Sequence, residues 1–264
     1  MDKGISFYWG FNQNPKIRAK LLQQIGFDCV ITNADPKFNK QNGKMSRQIK
    51  WFNQNSLKVS SLHMRYNGKD LPYFWTDTKK GDWMQKRLAK DIKVASKYGI
   101  KYVVTHVKGI PSEIGLERIK RLLKLCDKYN VDLAIENTEN IACFMYTFEN
   151  ISHPHLKFCY DVGHNNCFNP EIDYFKDFGD KLVCLHLHDN DGTRDAHGLN
   201  KYGNINWDLV ARNLAKINFN GSLDYEILYP KGKENCEEVA REVYKQACEL
   251  DKMIEKYKKQ YKIK

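Results

Sequence analysis

Six short apolar runs follow one another along the chain, and each ends on a polar residue: Val59-Ser-Ser-Leu-His63, Tyr102-Val-Val-Thr-His106, Asp132-Leu-Ala-Ile-Glu136, Lys157-Phe-Cys-Tyr-Asp161, Leu182-Val-Cys-Leu-His186 and Leu223-Asp-Tyr-Glu226. Runs of this length and character read as buried strands. Two further strands precede them, Gly4-Ile-Ser-Phe-Tyr8 and Cys29-Val-Ile-Thr32. Helical spacing fills the intervals. One helix runs from Lys16 to Ile25 and stops at Gly26; a second, capped by Asp82, starts at Trp83, lines Met84, Leu88, Ile92 and Ala95 on one face, and stops at Gly99. A third, opened by Ser112, places Leu116, Ile119, Leu123 and Cys126 together before Asn130; a fourth follows Asn206 and includes Trp207 and Leu214; the last, from about Glu234, carries Val239, Val243, Ala247 and Leu250.

Eight strands alternating with helices predict an α/β fold of the (β/α)8, or TIM, barrel type, for which about 250 residues is the usual size. The alternative, a doubly wound open sheet, calls for a Gly-rich phosphate turn after its first strand, and that turn is absent. With no composition break or Pro/Gly/Ser linker, the chain reads as one domain over 1–264, with a basic C-terminal tail from about 251 to 264.

Composition then narrows the setting. The 264 residues are 42% hydrophobic, enough to bury a full core. No apolar stretch approaches the length that crosses a bilayer and the first residues lack a signal region, so a soluble, cytoplasmic protein with no membrane partner is expected. Of eight cysteines, Cys29, Cys126, Cys159 and Cys184 fall inside apolar patterns and no C-x-x-C pair occurs, which reads as reduced, buried thiols. The formal charge of +11 invites a nucleic-acid reading, but six Lys against two acids in 251–264 supply +4 of it, and Lys outnumbers Arg 34 to 9. Arg is the residue favoured for phosphate forks, so a solvated Lys-rich surface is the better account, with an anionic small substrate compatible.

The run ends carry the chemistry. A barrel strand ends its inward row at one rim, so strands that all end on metal-binding residues aim them at one point. Unpaired carboxylates packed there would repel without a cation, and Glu136, Asp161, His186 and Glu226 form an oxygen/nitrogen shell for one divalent ion. His63 and His106 end strands at the same rim. His164 lies just past strand six, with Gly163 permitting a tight turn, and Asp195 and His197, two apart in an extended segment, can chelate together. The long loop Met64 to Gly81 holds Tyr66, Tyr73, Phe74 and Trp75, either a lid that stacks on substrate or aromatics packing the loop onto the barrel; Tyr8 and Trp9 share that ambiguity.

Taken together, Ser61-Leu-His63, Thr105-His106, Ile135-Glu136-Asn-Thr138, Cys159-Tyr-Asp161-Val-Gly-His164, His186-Leu-His-Asp-Asn-Asp-Gly192, Asp195-Ala-His197 and Asp224-Tyr-Glu226 resemble the xylose-isomerase-like barrel superfamily. It contains sugar-phosphate isomerases and epimerases and the type IV apurinic/apyrimidinic endonucleases. By that resemblance Glu136, Asp161, His186 and Glu226 match the ligands of mononuclear ketose epimerases, whose two glutamates also move protons, and His164 matches a residue that touches substrate oxygen. The resemblance also extends to the trinuclear zinc site of the endonucleases, with His63, His106, Glu136, Asp161, His164, His186, Asp195, His197 and Glu226 at its ligand positions.

The loops separate the two branches. The first strand lacks the His, and the segments after strands one and two lack the Arg-bearing DNA loops, usual in the endonucleases, although Tyr66 matches a DNA-contacting tyrosine there. The epimerases usually carry Arg six residues after the ligand matching His186; here Gly192 stands there, and Arg194 is the candidate substitute. The expected function is therefore a divalent-metal-dependent isomerase or epimerase of a sugar or sugar phosphate, holding one to three ions of zinc or manganese. Glu136 and Glu226 would be its proton-transfer residues, His164, Tyr66, Trp75 and Arg194 would bind substrate, and Arg65 or Lys108 would hold a phosphate. The alternatives are a zinc-dependent phosphodiesterase on abasic DNA, with nucleic acid the less favoured partner, and a non-catalytic metal- or sugar-binding barrel. Nothing in the sequence encodes an oligomeric state.

Overall fold

The computed structural model describes residues 1–7, 13–65, 67–200, 203–228 and 235–263. Along the chain it forms β1 (Lys3–Ser6), α1 (Pro15–Ile25), β2 (Cys29–Asn33), α2 (Pro36–Asn42), α3 (Met45–Gln54), β3 (Lys58–His63), α4 (Lys79–Lys97), β4 (Tyr102–His106), α5 (Glu113–Tyr129) and β5 (Asp132–Glu136). There follow α6 (Ile141–Asn150), β6 (Leu156–Asp161), α7 (Val162–Phe168), α8 (Tyr174–Phe178), β7 (Leu182–His186), α9 (Trp207–Lys216), β8 (Leu223–Tyr225) and α10 (Cys236–Gln260). All strand pairs are parallel, in the order β7-β6-β5-β4-β3-β2-β1-β8. The ring closes where Leu187 donates its N–H to the Asp224 carbonyl and accepts from the Glu226 N–H, each at 2.9 Å, so the fold is a (β/α)8 barrel.

Two apolar zones hold it together. The larger lies between strands and helices; a smaller one, Val104, Ala134, Cys159 and Cys184, sits inside the barrel. Each of those four lies two residues before His106, Glu136, Asp161 or His186 on the same strand. Period-two alternation therefore stacks a greasy layer directly beneath the polar strand ends and closes the barrel below them to water.

Several helix boundaries follow the expected chemistry. Gly26 and Asn130 take left-handed conformations at the ends of α1 and α5, and Ser112 and Asn206 accept backbone N–H bonds as caps. Other expectations are corrected. Helix α4 begins at Lys79, because Thr78, in extended backbone, accepts from the Gly81 N–H at 3.2 Å; Asp82 is instead a first-turn residue bonded to Arg118 at 2.9 Å. The segment between β2 and β3 forms α2 and α3, the first capped by Asp35 with Pro36 at its start, which is the favoured place for proline. The basic stretch from 251 onward continues α10 to Gln260, burying Ile254 and Tyr257, while Lys258 Nζ reaches the Phe219 carbonyl at 2.9 Å and Asp251 pairs with Lys3 at 2.6 Å. The first strand ends at Ser6; Tyr8, Trp9 and Glu234 lie outside the described residues. No described helix is long and apolar enough to cross a membrane.

Candidate metal centre

Five strand ends and the residue just past β8 converge at the rim. Glu136 lies at the middle: its Oε2 is 3.1 Å from His106 Nε2, 3.1 Å from His186 Nδ1 and 3.6 Å from His63 Nε2, and its Oε1 is 3.2 Å from His164 Nδ1. Glu226 Oε2 reaches the same His186 nitrogen at 3.2 Å. Besides Glu136, Cys159 and His186, three sets of donor atoms, each mutually within 4.8 Å, result: His63, His106 and Glu136; Glu136, Asp161, His186 and Glu226; and His164, Asp195 and His197. The middle set is deeply buried, with Glu136, Asp161 and His186 all fully covered, whereas Asp195 and His197 are only half-buried.

Three of the imidazole rings are fixed by backbone carbonyls. His63 Nδ1–H donates to the Met64 carbonyl at 2.9 Å, His164 Nδ1–H to that of Asn137 at 2.8 Å, and His197 Nδ1–H to that of Glu226 at 2.7 Å. A carbonyl can only accept, so each ring presents Nε2 to the cluster: toward His106 Nε2 at 3.2 Å for His63, and toward Asp195 Oδ2 at 3.3 and 3.1 Å for His164 and His197. A second-nitrogen bond to a carbonyl is the usual support of a metal-binding imidazole. Beyond the ion-pair contacts above, both Glu136 oxygens and both His186 nitrogens are buried with no well-aligned hydrogen bond among the described residues. Orphaned groups of that kind are costly unless a cation satisfies them, so the donor set fits a divalent ion.

Electrostatics state the same demand. Burial favours the neutral acid, yet Glu136 is held well below the usual carboxylate range by His106 and His186, and Asp161 is held low, against its own burial, by His164 and His188. Glu226 is lowered against burial by His186 and His197. Burial pushes the imidazoles down, but the carboxylates outweigh it: Glu226 and Glu136 raise His186 well above its ordinary value, Asp161 and Asp195 do so for His164, Glu136 raises His63, and Asp195 lifts His197 to about 9. The acids remain ionised and draw in positive charge, as protons or as a metal.

The cluster floors a basin of about 370 Å³ walled by Asn33, Phe38, Glu139, Phe168 and Leu228, a volume suited to a small molecule. Several candidate residues lie elsewhere. Trp75 is buried in the core, its ring over Gly115 on α5, because the 3-10 turn Leu71–Trp75 folds the loop inward; the packing reading of this aromatic is the one realised. Arg65 commits its backbone N–H and Nε to the buried Asp91 carboxylate at 3.0 and 2.8 Å and faces a separate crevice. Lys108 pairs with Glu139 at the basin wall, and Arg194 is exposed in the loop after β7. Tyr66 lies outside the described residues.

Local expectations are also corrected. Gly163 is helical in α7, and its missing side chain matters because a methyl there would overlap the His188 ring. Asp195 and His197 do meet, but through a left-handed His197, φ 48°, rather than an extended segment. Sequence reasoning passed over His188 and Asn137. His188 Nε2 lies 2.9 Å from Asp161 Oδ1; Asn137 exchanges two 2.8 Å bonds with the Asp161 backbone, replacing ladder bonds where β5 has ended. The alternation His186-Leu-His188 was the available signal for the first.

Comparison with known proteins agrees with this architecture. The model of the family described as "Xylose isomerase-like TIM barrel" matches residues 19–250. An uncharacterized protein of Sinorhizobium fredii is 32% identical over 108 residues, 38% of this chain and 35% of that protein, so the match spans about a third of the relative's length. Among solved structures, a D-tagatose 3-epimerase-like protein superposes with a TM-score of 0.79 at 16% identity, covering 99% of this chain and 100% of the other. The IolI protein with a bound zinc atom gives 0.73 at 20%, covering 97% and 99%. At these identities the likeness is one of fold.

Proposed function

The chain belongs to the xylose isomerase-like TIM-barrel family, and from that premise we propose that it is a divalent-metal-dependent isomerase or epimerase of a small sugar or sugar phosphate. The observation that carries this reading is the pair Glu136 and Glu226, whose carboxylates approach one His186 nitrogen from two sides at 3.1 and 3.2 Å beneath a basin of monosaccharide size. A zinc or manganese ion held by Glu136, Asp161, His186 and Glu226 would polarise a substrate carbonyl and acidify the neighbouring C–H. One glutamate removes that proton, leaving an enediolate, and the other glutamate, or the same one, returns a proton to carbon. Buried among imidazoles, both carboxylates are held in the ionised form that a base requires. His164, its ring fixed by the Asn137 carbonyl, orients a substrate hydroxyl, and Phe38, Phe168 and Leu228 supply apolar surface at the basin wall.

The test is exchange of the carbon-bound hydrogen beside the carbonyl in D2O across a panel of ketoses and ketose phosphates. The metal-loaded protein should incorporate deuterium into at least one, and Glu136→Gln and Glu226→Gln should each lose this by roughly 10²–10⁴-fold. No incorporation into any member would remove the main support for this reading.

A second reading draws on a different observation, the two additional donor sets His63–His106–Glu136 and His164–Asp195–His197. Clustered ions at those sets suit a phosphodiesterase on abasic DNA, where water is activated and a leaving oxygen stabilised. Chelator-sensitive nicking of plasmid containing abasic sites, lost in His106→Ala, would establish it. Ion count bears on the choice: one tight ion supports the first reading and three the second.

A further inference from the structure

We infer that His188 is a positioning residue that makes Asp161 a single-oxygen metal ligand and joins the inner donor set (Glu136, Asp161, His186 and Glu226) to the outer one (His164, Asp195 and His197), an inference that rests on the metal-dependent reading above. His188 is fully buried, and its Nε2 lies 2.9 Å from Asp161 Oδ1 and 3.2 Å from Oδ2. The carboxylate can only accept, so Nε2 carries the proton and donates. The same Oδ1 already caps α7, taking the His164 N–H at 2.7 Å. Two donors on Oδ1 leave Oδ2 as the oxygen with lone pairs to spare for an ion, and they prevent the carboxylate from rotating to chelate with both.

The other side of the ring faces the outer set. His188 stacks on His197 with centroids 4.0 Å apart and planes at 16°, and its Nε2 is 3.7 Å from Asp195 Oδ1. One imidazole thus packs against a ligand of each set. The fold makes room for it at one place, Gly163, where any side chain would collide with the ring. His188 Nδ1 is buried with no hydrogen-bond partner among the described residues, so the ring is retained there at a cost that core packing alone would not require.

The experiment uses the full chain, stripped of metal and titrated with Mn2+ for affinity and with Co2+ for its visible spectrum, neither of which requires turnover. His188→Leu removes the donor, His188→Gln restores an N–H near the same place, and Gly163→Ala displaces the ring without altering it. His188→Leu and Gly163→Ala should weaken the tightest Mn2+ site by about 10–100-fold and shift the Co2+ bands, while His188→Gln should recover most of both. Should His188→Leu fail to fold, Gly163→Ala and His188→Gln still decide. Wild-type affinity and spectrum in Gly163→Ala, or a glutamine variant as impaired as the leucine, would overturn the inference while leaving the functional reading intact. A wild-type protein that binds neither ion would overturn both.

Discussion

The inner and outer donor sets are built from the same residue types but by different parts of the fold. Glu136, Asp161 and His186 end adjacent strands whose register pairs Asp161 with His186, and Glu226 is fixed by a 2.9 Å bond from its N–H to the Leu187 carbonyl. Their positions are set by the ladder and by the apolar layer beneath. Asp195 and His197 sit instead on the long loop after β7, brought together by a left-handed residue and by the two bonds between Asp189 and Gly198. A strand end costs little additional ordering, because the barrel has already fixed it; a loop ligand must be held by polar contacts of its own. The inner set should therefore bind first and survive perturbation longest.

The largest separation of the two should come from Glu136→Gln against Asp195→Asn. Glu136 belongs to three donor sets, so its amide variant should lose the inner ion, measured as metal per protein after dialysis, together with hydrogen exchange. Asp195→Asn should keep one tightly bound ion and lower exchange far less, by about tenfold. Equal metal loss in the two variants would mean that the sets fill as one unit and that the comparison drawn here is wrong.

A smaller effect is expected from Asp189→Ala. This carboxylate is buried and accepts from the Asn190 and Ile205 N–H groups and from Trp207 Nε1 at 2.8, 3.2 and 2.8 Å, tying the far end of the loop to α9. Removing it leaves buried donors unpaired, at a cost of about 1–3 kcal/mol in denaturant unfolding. Ion content should fall at the outer set while the inner ion is retained. Unchanged outer occupancy would show that the Asp189–Gly198 backbone bonds suffice to hold the loop.

The same contrast explains what the sequence made legible. His63, His106, Glu136, Asp161, His186 and Glu226 could be read because period two and a common rim leave a strand end few places to point. Asp195 and His197 were readable only as residue types in a turn, and the left-handed backbone that unites them leaves no signature in a His. His188 was missed because the alternation that marks it continues past the end of β7. Trp75 shows the converse: an aromatic in a long loop reads equally as lid or core, and Gly115, far along the chain on α5, is what admits it to the core. The cap at Thr78 lost to Asp82 in the reading because both are good caps and the choice depends on backbone φ and ψ.

The smallest expected effect is one of pH, and it reports the outer set alone. Asp195 beside His197 outweighs burial and raises that imidazole from its ordinary 6.5 to about 9 in the folded chain. A folded pKa above the unfolded one means that the folded state holds the proton more tightly. The stability this adds is complete below about pH 6.5 and is lost as pH rises toward 9. Chelator-treated protein should accordingly melt at a falling temperature across that interval, and His197→Gln should flatten this part of the slope. An ion on His197 Nε2 requires the neutral ring, so filling the outer set should remove the His197 contribution. A slope that persists unchanged on metal loading would mean that His197 is not among the ligands.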